Sequence, residues 1–184
     1  MRALALLLLI AVPAYAQGGP QPQPPDASLP ALIAGLKAAP NPEAAGQLEH
    51  KIAVAWLDQA TPAVRLLLES GMRALDAEAP NEAERDFSAA TTLQPDLAEA
   101  WSESALAHLH AGDTTAAIED LAHALTLDPE HFTALETLSY AAEERGDWPG
   151  ALTAWQKLLS IDPEIAGGAE RLKKLRQHAL GESL

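Results

Sequence analysis

The chain has 184 residues, no cysteine and a formal net charge of −14. Disulfides and thiolate chemistry are excluded, and so acidic a surface repels nucleic acid and anionic membranes. Aromatic residues are scarce and Ala and Leu abundant, which favours helices over sheet.

In chain order, Met1 and Arg2 give a short positive start, and residues 3–12, "ALALLLLIAV", form an apolar run too short to span a bilayer. Pro13 and "AYA" at 14–16 follow. This is the pattern of a secretory signal peptide over 1–16, with cleavage expected after Ala16 and export, in a Gram-negative cell to the periplasm. Loss of Arg2 leaves 11 basic residues against 26 acidic ones. Residues 17–28, "QGGPQPQPPDAS", carry too little apolar mass to order themselves and are expected to form a linker. No later stretch is long and apolar enough to be a transmembrane span.

Residues 29–60 are expected to form a helix pair broken at Pro40 and Pro42. Leu48, Ile52, Ala55 and Trp56 fall on one helical face. The pair is about one repeat long and is either a degenerate repeat or an N-terminal cap.

An exact period begins at residue 64. Pro95, Pro129 and Pro163 are 34 residues apart, so segments 64–97, 98–131 and 132–165 align in register. Position twenty holds Ala83, Ala117 and Ala151, and position twenty-four holds Phe87, Leu121 and Trp155. Position twenty-seven holds Ala90, Ala124 and Leu158, and position four holds Leu67, Trp101 and Leu135. Each unit reads helix, tight turn, helix, proline stop. Gly112-Asp113 and Gly146-Asp147 supply the turn in the second and third units. In the first, Pro80 is expected to hold the turn and Asn81 to cap the next helix. Gly71, Ala105 and Ser139 at position eight let the two helices approach where the position-twenty alanines meet them.

These residues resemble the tetratricopeptide repeat. The best match is "AEAWSESALAHLHAGDTTAAIEDLAHALTLDPEH", with Trp101 at four, Gly-Asp at the turn, Ala at twenty and twenty-seven and Pro at thirty-two. It departs from the pattern at seven and eight, where Ser104 and Ala105 replace Leu-Gly, and at eleven, where His108 stands for an aromatic. The order of units also resembles small repeat proteins exported by Gram-negative bacteria. The resemblance implies an all-α solenoid of antiparallel helix pairs, about three units long. Residues 166–184 are expected to close it as a capping helix, its Arg171, Lys173, Lys174 and Arg176 face largely wet.

The resemblance further implies a concave groove lined by the first helix of each unit at positions two, five, nine, twelve and thirteen. Carried over, these are Arg65, Leu68, Met72, Leu75 and Asp76; Glu99, Ser102, Leu106, Leu109 and His110; and Thr133, Glu136, Tyr140, Glu143 and Glu144. The strip is apolar and turns acidic towards the third unit, which suits a protein segment that is apolar with basic residues. The Lys and Asn clamp by which some members of the family hold C-terminal carboxylates is missing. Two alternatives stay open: the chain's own terminal helices fill the groove, or a small hydrophobic ligand sits between the repeats and the N-terminal helices.

No catalytic constellation stands out. There is no phosphate loop, GxSxG or HExxH. His108 and His110 point about 200° apart on a helix and cannot share a metal, and His108 is expected to pack in the core. Glu143-Glu144 and Glu119-Asp120 diverge by about 100° and make no acid/base pair. No cofactor or metal is expected. Trp101 and Trp155 are expected in the core, and Trp148 partly exposed in a turn.

Overall fold

The computed structural model describes residues 28–181. The expected signal peptide and all but the last residue of the linker lie outside them. Among the described residues the chain is helical throughout: α1 (Leu29–Lys37), α2 (Pro42–Leu57), α3 (Pro62–Asp76), α4 (Pro80–Leu93), α5 (Ala98–His110), α6 (Thr114–Leu127), α7 (Phe132–Glu144), α8 (Trp148–Ile161) and α9 (Gly168–Leu180).

Helix starts follow from local chemistry. The side chains of Asn41, Thr61, Asp113 and Asp147 each accept a hydrogen bond from the amide three residues on, which satisfies a donor the helix itself leaves open. His131 does the same for α7, its Nδ1 accepting from the Ala134 amide at 3.3 Å. Asn81 is not a cap, against expectation. Pro80, with φ already set for a helix, takes the first turn, so the capping position falls on Ala79.

Turns occur at position fifteen, where Gly112 and Gly146 adopt φ of 82° and 76°. The first unit has Glu78 there, at φ 55°. A left-handed conformation costs an L-residue about 1 kcal/mol. Glu78→Gly should therefore raise the melting temperature by about 2–4 °C, as read by circular dichroism. An unchanged melt would mean that the strain is compensated.

Three hairpins, α3/α4, α5/α6 and α7/α8, stack in sequence, and α9 packs on α8. The position-eight residues are where the helices cross closely. A Cβ on Gly71 would lie 2.5 Å from the Phe87 ring, and the Ser139 hydroxyl donates to the Ala151 carbonyl at 3.0 Å. Ala83, Ala117 and Ala151 are all fully buried. First helices also touch first helices, α3 with α5 and α5 with α7, more closely than second helices touch each other. The stack therefore curves with α3, α5 and α7 on the inner side.

The hairpin α1/α2 does not stack on α3 as a preceding repeat. Its Ile33, Leu36, Ala45, Ile52 and Trp56 share one core with Phe132, Leu135, Trp155 and Leu158 of the third unit and Leu175 of α9. Arg171 of α9 is likewise not wet. Its Nη1 and Nη2 donate to Glu143 at 2.9 Å and to the Ser139 hydroxyl at 3.0 Å, and its guanidinium lies 3.7 Å from the centre of the Tyr140 ring.

Candidate functional site

The inner face is divided in two. Towards the turns it stays open. Leu106, Leu109 and His110 of α5 and Thr137, Tyr140 and Glu144 of α7 surround a hollow of about 450 Å³. Tyr140 is 45 % exposed although large and aromatic, and Arg171 on one side and the Trp155 ring, packed edge-on with its centre 6.5 Å away, fix its ring. An exposed but immobilised aromatic gives up little rotamer freedom on contact. Thr114 donates to Glu144 at 3.3 Å, which holds a carboxylate at the rim. Burial alone would raise the pKa of Glu143, but hydrogen bonds from Lys174 and Arg171 outweigh it and hold the carboxyl below its ordinary value.

Towards the inter-repeat loops the inner face is covered by α2. The Trp56 ring stacks on His131 at 3.8 Å and meets Phe132 at 5.0 Å. Its indole N–H donates to Asp128 at 3.0 Å. His131 Nε2 lies 3.0 Å from Glu99. Carboxyls crowd beneath this cover. Burial, then the neighbouring Glu99, pushes Glu103 up to about 8. Burial also raises Glu136, with Arg171 opposing and Glu49 adding to the rise.

Of the residues expected to line the groove, Leu106, Leu109, His110, Tyr140 and Glu144 come together around the open hollow. Met72 and Leu75 pack partly against the α3/α4 core, and Arg65 pairs with Asp58 at 2.8 Å. Leu68 is not available to a partner: it is fully buried, in one core with Phe87 and Ala100. Ser102 is 5 % exposed. Both are at position five, in the seam where one first helix leans on the next. Glu99 and Glu136 lie on the half that α2 covers.

Sequence reasoning missed a row at position thirty-one, just before each proline. Gln94 accepts from the Thr61 amide at 2.9 Å and donates to the Gln59 carbonyl at 3.0 Å. Asp128 accepts from Trp56, and Asp162 faces Glu49. The signal was a polar residue recurring before each proline.

A second cavity of about 300 Å³ lies between α1, Trp56 and the loops. Leu29, Ile33, Trp56, Leu97 and Leu127 line it together with the carboxyls of Asp96, Glu99, Asp128 and Glu130. Among the described residues no group of His, Asp and Glu is arranged to hold a metal, and no helix is long and apolar enough to cross a membrane.

A family model described as tetratricopeptide repeat matches residues 68–130 and again 111–164. No curated protein matches the chain by sequence. Among solved structures, the Arabidopsis OM64 TPR domain aligns with a TM-score of 0.61 at 22% identity, over 63% of this chain and 96% of that one. The first TPR of Spaghetti (RPAP3) bound to an HSP90 peptide aligns at 0.63 and 18%, over 67% and 99%. The MamA protein aligns at 0.59 and 21%, over 82% and 81%. At these identities the likeness is one of fold.

Proposed function

Because the chain belongs to the tetratricopeptide repeat family, we propose that it is a non-enzymatic interaction scaffold that binds a protein segment on its inner face. The observation that carries this is the open hollow between α5 and α7, with Tyr140 held exposed at its edge. Structural neighbours in this fold are complexed with peptides of HSP90 and pHsp70. The peptide in one of them, SRMEEVD, is acidic, whereas the exposed Glu144 sits at the rim here. The segment bound by this chain is apolar with basic residues. We also propose, from the pattern over residues 1–16, that the protein is exported and meets its partner in the cell envelope.

The experiment is affinity capture from an envelope extract of the source organism, with Leu106→Glu and Tyr140→Ala as variants. A charge in the hollow should lower partner recovery at least about tenfold, and loss of the tyrosine ring somewhat less. Both variants should melt close to the parent, since neither side chain is fully buried. Unchanged recovery in both would rule the hollow out.

A further inference from the structure

The row Gln94, Asp128 and Asp162 recurs every 34 residues, and the chain that crosses it runs in the opposite direction. The segment 59–61 meets Gln94, Trp56 meets Asp128, and Glu49 meets Asp162. From Trp56 to Glu49 is seven residues, or about 10 Å along a helix. α2 therefore presents one residue to each of the last two repeats, while Gln94 is met by the backbone of the loop that follows α2.

Two of the three contacts supply a donor to the repeat. The third does not. Asp162 is fully buried, and neither carboxylate oxygen has a hydrogen-bond partner. It also sits at the C-terminal end of α8, where the helix dipole disfavours negative charge. The groups facing it are the Glu49 carboxyl of α2 and the Glu136 carboxyl of α7, which raise its pKa, and the Glu164 backbone amide, which opposes them. Arg171 of α9 faces Glu136; its two terminal nitrogens are engaged by Glu143 and Ser139 and its plane by Tyr140, while its Nε is buried without a partner.

We propose that this row is a docking track for a helix, that α2 is a placeholder on it, and that the partner it fits is an amphipathic helix with a lysine or arginine seven residues before an aromatic residue. This deepens the groove reading and rests on it. The partner's cation would take the place of Glu49 and pair with Asp162 and Glu136, turning three crowded carboxyls into a bridged site. Until then α2 keeps the apolar side chains of the track covered.

Burial, then Glu49 by its carboxyl and its charge, pushes Asp162 up to about 7. A raised carboxyl favours the docked state at low pH. Docking of α2 is therefore fully supported below the ordinary carboxylate range and weakens as pH rises towards 7.

The test uses two synthetic peptides of residues 42–57, one native and one with Glu49→Lys, titrated at pH 8 onto the fluorescently labelled full chain. Both compete with the same tethered α2, so their ratio reads the charge alone. The lysine peptide should bind about tenfold tighter, and Asp162→Asn in the chain should bring the ratio close to one. Equal binding, or a preference that survives Asp162→Asn, overturns the proposal. The same exchange made within the chain gives an independent reading. Glu49→Lys should melt about 2–4 °C above Glu49→Gln at pH 8, with the gap narrowing at pH 5. A Glu49→Lys chain that melts no higher than Glu49→Gln also overturns it. Partner capture that depends on Leu106 while the peptide ratio stays at one would sink the track and leave the hollow standing; the converse would sink the hollow.

Discussion

Trp155→Ala is expected to cost about 3–5 kcal/mol. Trp155 is 2 % exposed. Its indole N–H donates to the Gly168 carbonyl at 3.0 Å, which fixes the start of α9 on α8. The ring also backs Tyr140 and lies 4.9 Å from the Arg171 guanidinium. Its loss removes the common packing surface of the third unit, α9 and the N-terminal hairpin. Urea denaturation should report the fall. Because Tyr140 loses its backing, the variant should also bind its partner more weakly, even at temperatures where it remains folded. A loss below about 1 kcal/mol would show that the core of the third unit is not organised around this ring.

Trp56→Ala is expected to lose a comparable amount, but locally. The ring is 2 % exposed. It forms the His131 stack, the Phe132 contact and the Asp128 hydrogen bond. Without it, α1 and α2 keep smaller contacts such as Ile33, Leu36 and Ile52, together with the exposed Lys37–Glu130 pair, which contributes little. Amide exchange in α1 and α2 should therefore accelerate by about a hundredfold or more, while α3–α6 stay protected. Trp56→Phe, which lacks the hydrogen bond and part of the stacked ring, should recover part of the protection. Exchange that rises evenly over the whole chain would mean that the hairpin is an inseparable part of the solenoid.

How much of this was legible in the sequence follows from the range of each interaction. Helix starts, turns and crossing points are set by residues within one unit. Asp113, Gly112 and Ala117 announce them, and the 34-residue period repeats them. Glu78 was harder to place, because a glutamate carries no mark of left-handed backbone. Leu106, Leu109 and Tyr140 follow from the repeat positions and lie together around the open hollow, with Arg171 of α9 against the Tyr140 ring. Where a second segment arrives, the repeat pattern is silent. It does not say that Leu68 closes a seam between two first helices, or that Glu99 and Glu136 lie beneath α2. The destination of α2 rests on contacts 72 or more residues apart, such as Trp56 with Asp128, and no local periodicity encodes them. The apolar face Leu48, Ile52, Ala55 and Trp56 said that this helix packs on something. Only the fold says on what.

α2 lies across the inner face against the third unit and does not precede the first unit as a fourth repeat. Nuclear Overhauser contacts from the Trp56 indole test it most directly. The indole stacks 3.8 Å from the His131 ring and 5.0 Å from that of Phe132. Cross-peaks to both rings are expected, with the His131 ring protons shifted upfield by the stacked indole. Cross-peaks from Trp56 to Leu67 and Phe87 of the first unit, with none to His131 or Phe132, would contradict the account.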